Sequence, residues 1–196
     1  MRKVQPKPKV CKVCRCEFAP SRPMQKVCSP ACALSLAASK RAKEEKRAQV
    51  QERRADKAKR EKLKTRSQWL KEAQAAFNAF IRAHDAGKPC ICCGLPLEAG
   101  DVGGRYDCGH YRSTGSAPHL RFHEDNAHGQ RKQCNRWGAG RAVDYRLGLI
   151  ERIGLARVEA LEADQTPRRY SIEDLRVIRD EYRAKLRALK KGCGDA

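Results

Sequence analysis

Residues 89–140 read PCICCGLPLEAGDVGGRYDCGHYRSTGSAPHLRFHEDNAHGQRKQCNRWGAG, and they concentrate the side chains that can do chemistry. Five of the 11 cysteines and four of the five histidines lie here. Cys90 and Cys93 are two residues apart and precede Gly94, which is typical of a zinc-knuckle turn. The stretch therefore predicts a small fold built around metal ligands.

The end of this stretch, HGQRKQCN at residues 128–135, raises a question about the metal site. A second knuckle pair needs cysteines two residues apart, but Arg131 stands where the first is expected and only Cys134 remains. The sequence leaves open whether this is a broken site, a rebuilt one, or no site.

Charge indicates the class of partner. The 196-residue chain carries a formal net charge of +20 and has a pI near 9.8, which favours a polyanion and, first of all, nucleic acid. A membrane surface is the weaker alternative, since the basic stretches lack an apolar face. Without a signal peptide or an apolar run of roughly 20 residues, we expect a cytosolic protein. Cysteines in that reducing compartment are metal ligands more often than disulfides.

The first segment, residues 1–32, predicts a zinc knuckle. Two close cysteine pairs are separated by a 13-residue loop, as tetrahedral zinc requires, and their members are Cys11, Cys14, Cys28 and Cys32. The second pair opens a helix at Ser29-Pro30. Cys16 is a spare thiol in this interpretation. Because the segment is too small for a core, the metal should supply most of its folding energy.

The second segment, residues 33–66, predicts a basic helical linker without Gly or Pro. Residues 40–66 contain 13 basic and 5 acidic side chains, a local net charge of +8. Such a helix can lie along a phosphate backbone, and its candidate DNA contacts are Arg53, Arg54, Lys57 and Arg60. The alternative is a solvated spacer helix.

The remaining chain divides into residues 67–140, a packing helix plus a central core, and 141–196, a helical region. The packing helix should begin with Ser67 as its cap. It presents one face at helical spacing, with His84 at its edge: Trp69, Ala73, Phe77, Phe80, Ile81 and His84. The last helix should start at Ser171, with Asp174 completing a variant capping box. The predicted fold class is mainly α with small zinc-stabilised α+β elements.

The order of residues in the central core resembles that of the HNH, or ββα-metal, nucleases. A knuckle is followed by YDCGHY, the short strand candidate HLRF, Asn126 and then Cys134-Asn135. In that family a histidine ending the first strand is the general base, and a neighbouring Asp with a His or Asn on the following helix holds one divalent cation.

Over nearly its full length the chain resembles the NinG/Rap recombination endonucleases of lambdoid phages. The matching pieces occur in the family's order: CSPAC, the basic helix, NAFIR, GHYRST, APHLRF, QCN, YR before ERIG, and EYRAKL. The resemblance implies a phage-encoded, structure-directed endonuclease that acts in the host cytoplasm on branched DNA such as Holliday junctions and D-loops. A homodimer and phage recombination proteins are the further partners we expect.

Carried over to this sequence, the resemblance makes His110 the general base and gives Asp107 and Asn135 a catalytic Mg²⁺ or Mn²⁺. Asn126 would orient His110 or brace its loop. Structural zinc would take Cys90, Cys93, Cys134 and a fourth ligand, for which the candidates are Cys108 and His128; Cys92 is too close to its neighbours to be favoured. Alternatively, zinc is lost and packing holds the fold. Of the two, we expect a rebuilt site in which Cys108 or His128 supplies the missing ligand. The candidate phosphate contacts beside the site are Arg112, Arg121, Arg136 and Arg141.

Two rival functions remain at this point. A non-catalytic, zinc-containing DNA-binding accessory protein of recombination or replication needs only the charge and the knuckles. An RNA-binding or ribosome-associated protein ranks lower, because aromatic residues make up only 6% of the chain and base-stacking platforms require exposed aromatics.

Overall fold

The protein was analysed as a computed structural model that describes residues 7–97, 106–138 and 140–192. It divides into two compact units, Met1–Leu63 and Lys64–Ala196. Five helices and two small two-stranded antiparallel sheets make up the described chain, which confirms the mainly helical fold class. No helix in the described ranges is long and apolar enough to cross a membrane.

The first unit consists of a small knuckle and one long helix. Strands β1 (Lys9–Val10) and β2 (Glu17–Phe18) pair antiparallel. Helix α1 (Pro30–Lys62) starts as predicted: the Ser29 side chain accepts a hydrogen bond from the Cys32 amide, and Pro30 occupies the first turn. No α1 residue is buried, so the helix is stabilised by the intrinsic helix propensity of its Ala, Lys, Arg and Glu residues and not by packing.

Helix α2 (Arg66–His84) begins the second unit and supplies its main apolar face. Its cap is Thr65 rather than the predicted Ser67. The Thr65 hydroxyl accepts a hydrogen bond from the Gln68 backbone amide, and the Gln68 side-chain oxygen accepts one from the Thr65 backbone amide. The predicted apolar face is confirmed for the residues that are buried: Trp69, Ala73, Phe77, Phe80 and Ile81. His84, at the edge of that face, is exposed and stacks on Phe80.

The centre of the second unit is a two-stranded sheet. Strand β3 (Tyr106–His110) pairs antiparallel with β4 (Ala127–Arg131), from Tyr106 opposite Arg131 to His110 opposite Ala127. Two 3-10 turns, Pro118–Leu120 and Glu124–Asn126, lie between the strands, and a π-helical turn, Gln133–Trp137, follows β4. The sheet thus leads directly into the turn that carries Cys134 and Asn135.

Helices cover the sheet from two sides. Helix α5 (Ile172–Gly192) packs along α2, and their core includes Phe77, Cys108, Ala127 and Tyr182. The Ser171–Asp174 cap of α5 is confirmed by reciprocal hydrogen bonds.

Helices α3 (Ala142–Ile153) and α4 (Leu155–Ala163) form a second core with the central knuckle. Gly148 on α3 faces the Ile91 carbonyl so closely that a Cβ there would collide with it. The absence of a side chain at Gly148 therefore lets α3 rest directly on the knuckle turn.

Candidate functional site

The four N-terminal cysteines form one group. The thiols of Cys11, Cys14, Cys28 and Cys32 lie within 4.8 Å of one another. The Cys28 sulfur is 3.4 Å from that of Cys14 and 3.7 Å from that of Cys32. Four convergent thiols match the donor set of a closed structural zinc site, so this group could hold zinc or another soft metal ion.

A backbone turn presents the first pair of this group. The Arg15 amide donates to the Cys11 carbonyl, and the Cys11 amide donates to the Cys16 carbonyl. Arg15 adopts a left-handed conformation with φ of 64°. The Cys16 sulfur lies 3.0 Å from that of Cys14 but outside the group of four.

Three cysteines converge in the second unit, as the sequence predicts. The thiols of Cys90, Cys93 and Cys134 lie within 4.8 Å of one another. A hydrogen bond from the Cys92 thiol, with help from the Arg131 amide, lowers the pKa of Cys90 to about 4 despite its burial. A thiol that ionises readily is ready to bind a metal.

Neither predicted fourth ligand reaches this group. Cys108 faces helix α2, where burial raises the pKa of its thiol to about 12 and keeps it protonated. The Nδ1 atom of His128 lies 3.5 Å from the carboxylate of Asp85, and its Nε2 is buried without a hydrogen-bond partner. The alternation of side chains along β3 turns Cys108 toward α2. His128 shares a sheet face with Gln130 but lies two residues earlier in β4, where its ring meets Asp85 instead of the cysteines.

Asp107 and Asn135 do come together, with Asn135 Nδ2 3.2 Å from Asp107 Oδ2. Arg136 engages both oxygens of the same carboxylate, at 2.8 and 3.1 Å. Burial favours the protonated carboxyl, but hydrogen bonds from Arg136 and Asn135 outweigh it and lower the pKa of Asp107. Oxygen donors suit a hard divalent cation, although Arg136 now holds the oxygens such a cation would use.

His110 lies at the end of β3, on the side of helix α2. Its ring centroid is 5.9 Å from that of Phe77, and its Nε2 is 3.1 Å from the Arg121 carbonyl. Burial lowers the pKa of His110, so its imidazole is neutral near pH 7. Asp107 and His110 are three residues apart in the strand, so their side chains leave opposite faces of the sheet.

Asn126 braces the loop after His110. It is fully buried, its Oδ1 accepts from the Arg112 amide, and its Nδ2 donates to the carbonyls of Arg112 and Leu120. Asn126 therefore acts on the backbone beside His110 and makes no hydrogen bond with the His110 ring among the contacts of the described residues.

Comparison with known proteins identifies the family. The family model described as "Bacteriophage Lambda NinG protein" matches residues 3–192. Among curated proteins, the ninG protein of Salmonella phage P22 is 41% identical over 194 residues, and that of Escherichia phage lambda is 40% identical over 194; both alignments cover 93% of each chain. The ninG protein of Escherichia phage 933W is 38% identical and covers 98% of each chain. The chain belongs to the NinG family. No solved structure matches it.

The predicted phosphate contacts of this NinG chain divide into internal and exposed arginines. Arg112 donates to carbonyls at the C-terminal end of α4, and Arg121 donates to Gln74 and to the Thr114 carbonyl. These half-buried guanidinium groups donate to groups within the fold, which leaves them less available for phosphates than the exposed arginines. Exposed side chains remain at Arg136 and Arg141, and on α1 at Arg53, Arg54, Lys57 and Arg60.

Two further residues lie beside the central cysteines. The Cys92 sulfur is 3.6 Å from that of Cys90, and the buried Gln130 amide donates to it at 3.2 Å. The sequence disfavours Cys92 as a ligand because it is so close to its neighbours, and it does not point to Gln130 at all. The only signal in the sequence was the cysteine itself, since nothing local marks Gln130 as its partner.

Proposed function

We propose that this NinG protein is a metal-dependent endonuclease that hydrolyses phosphodiester bonds in branched DNA, such as Holliday junctions and D-loops, during phage recombination. Membership of the NinG family and the net charge of +20 support a DNA substrate. The state of His110 is the observation that carries the catalytic part of the proposal.

His110 has the properties of a general base. A carbonyl only accepts hydrogen bonds, so the contact with Arg121 O assigns the proton to Nε2 and leaves the Nδ1 lone pair as the proton acceptor. The lowered pKa keeps that lone pair free near neutral pH. The Asn126 contacts stabilise the backbone that follows the ring, which limits its movement.

Asp107 and Asn135 are the residues that would hold a Mg²⁺ or Mn²⁺ ion. A bound cation would supply stabilisation of negative charge on the phosphate and the leaving oxygen. Arg136 would have to release the Asp107 carboxylate first, and its guanidinium fork would then be available for a phosphate of the DNA.

Cleavage by the proposed enzyme is tested with a four-way junction and Mg²⁺. We expect His110→Ala to lower the nicking rate by about 10²–10⁴-fold, the usual contribution of a general base, while junction binding is retained. His123→Ala is the matched control, because His123 is exposed. If His110→Ala nicks as fast as the unchanged protein, His110 is not the base.

A second function, a non-catalytic DNA-binding accessory protein with structural metal, is favoured by one specific observation. Asp107 and His110 lie on opposite faces of β3, about 10 Å apart along the strand. In addition, Arg136 donates to both oxygens of the Asp107 carboxylate. Tight junction binding without cleavage in Mg²⁺ or Mn²⁺, unaffected by His110→Ala, would support this alternative.

A further inference from the structure

We propose that Cys92 supplies the fourth thiol of the central cysteine group, so that Cys90, Cys92, Cys93 and Cys134 together hold one zinc-type ion. Arg131 occupies the position from which a knuckle would normally supply that ligand. This inference concerns a structural metal and stands whether or not the chain cleaves DNA.

The spacing of the sulfur atoms is the first support. In a tetrahedral site with zinc–sulfur bonds near 2.3 Å, neighbouring sulfurs are about 3.8 Å apart. The Cys90 and Cys92 sulfurs are 3.6 Å apart. In the N-terminal group of four, the Cys28 and Cys32 sulfurs are 3.7 Å apart. Cys92 therefore meets Cys90 at the separation of two ligands of one ion. Its sulfur is not within 4.8 Å of all three other sulfurs, so the proposal requires it to move closer to Cys93 and Cys134 when the ion binds.

The contacts of Gln130 are the second, independent support. Gln130 is 1% exposed, and its amide divides its donors between the Cys92 sulfur at 3.2 Å and the Gly140 carbonyl at 2.9 Å. A buried amide donor directed at a sulfur is the outer-shell arrangement that orients a metal-binding thiolate. Gly109 makes it feasible, because a Cβ there would collide with the Gln130 side chain.

The third support is that all four cysteines occupy one cluster despite the adjacency of Cys92 and Cys93. Both pack against the small core formed by Cys90, Leu97 and Cys134. The tight turn ending at Gly94, with φ of 70°, reverses the chain so that consecutive side chains reach the same cluster. The Arg131 amide also donates to the Cys90 sulfur at 3.3 Å, which adds a second N–H···S contact.

The charge around the cluster suits four thiolates. A divalent ion with four thiolate ligands has a net charge of −2. Arg131 and Arg141 line the same cavity of about 340 Å³ as Cys93 and Cys134. The residue that replaced the expected cysteine therefore contributes a cation beside the cluster, while Cys92 contributes the sulfur.

The test is ¹¹³Cd NMR of the full-length chain, in which each cadmium site has its own resonance and the shift reports the number of sulfur ligands. We expect two cadmium ions per chain, both with tetrathiolate shifts. If the unchanged chain binds a single cadmium ion, or if its second resonance has the shift of a three-sulfur site, the proposal is overturned.

Variants then identify the ligand. Cys92→Ser should move one resonance to the three-sulfur range and leave the other in place, whereas Cys108→Ala, the matched buried cysteine, should move neither. The double variant Cys92→Ser with Arg131→Cys should restore the tetrathiolate shift. If Cys92→Ser leaves both resonances unchanged, Cys92 is not a ligand.

Affinity provides a second readout. Loss of an outer-shell partner lowers metal affinity about 10–100-fold. In chelator competition, we expect Gln130→Ala to lower the zinc affinity of the central site within that range and Cys92→Ser to lower it further. Equal zinc retention by Cys92→Ser and the unchanged chain would contradict the proposal.

Discussion

The two knuckle turns of this protein share one backbone design in different surroundings. In the N-terminal turn, the Cys11 carbonyl accepts a hydrogen bond from the Arg15 amide, and the Cys11 amide donates to the Cys16 carbonyl. In the central turn, the Cys90 carbonyl accepts from the Gly94 amide, and the Cys90 amide donates to the Leu95 carbonyl. Arg15 and Gly94, which follow the first cysteine of each turn by four residues, both have a left-handed backbone conformation, with φ of 64° and 70°. The same turn therefore arises from cysteine spacing and local hydrogen bonds in both places.

What surrounds each turn differs completely. Among the described residues of the first unit, only Cys11 and Pro20 are buried. The central turn packs against Leu97 and, through Ile91, joins the core of α3 and α4. The comparison predicts that the first turn depends on a bound metal for its stability, whereas the second is held by a core and should tolerate a change of ligand.

Metal removal should produce the largest difference between the two turns. A zinc chelator should unfold the N-terminal knuckle, because structural zinc contributes about 10–16 kcal/mol to such folding and no core replaces it. The second unit should stay folded. Hydrogen exchange of the Arg15 and Gly94 amides measures both turns in one sample.

Cys28→Ser should reproduce the N-terminal loss, and Cys16→Ser is its matched control because Cys16 lies outside the group of four. Continued protection of the Arg15 amide in the chelated protein would show that the first turn is stable without metal, and the comparison would then fail.

The buried core should give the next largest effect. Phe77→Ala removes a fully buried ring that meets Phe122 and Tyr182, so we expect the second unit to lose about 3–5 kcal/mol of unfolding free energy. Val50→Ala on the exposed helix α1 should change stability by less than about 0.5 kcal/mol. Denaturant unfolding followed by circular dichroism compares them, and equal effects would refute the assigned cores.

The smallest effect concerns the left-handed position itself. Arg15→Gly should relieve backbone strain and stabilise the first turn by about 0.5–1 kcal/mol, seen as zinc binding about 2–5-fold tighter because folding and binding are coupled. Lys12→Gly is the control, since Lys12 is not left-handed and added chain freedom should weaken binding. Zinc titration with a competing chelator distinguishes them; weaker binding by Arg15→Gly would show that the arginine side chain matters more than its φ.

The candidate site was only partly predictable. The resemblance to the nuclease family implies that Asp107 and Asn135 lie together, and their contact agrees with it. Arg136 donates to Asp107, and Arg112 donates to the end of α4. Both contacts depend on how separate elements pack. The roles of individual arginines could therefore not be read from charge.

The sequence by itself determined the features that depend on neighbouring residues. Ser29-Pro30 and Ser171 set helix starts, the apolar spacing of α2 set its buried face, and close cysteine pairs set the knuckle turns, because those hydrogen bonds and side-chain periods are local. Even so, Thr65 and not Ser67 caps α2, because Thr65 makes reciprocal hydrogen bonds with Gln68.

Only the tertiary structure decided which side chains meet across the chain. Packing of the β3–β4 sheet turned Cys108 toward α2. The register between the two strands brought Gln130 over Gly109 to the Cys92 sulfur. Because a one-residue shift in pairing would send each of these side chains to the other face, no local pattern could specify them.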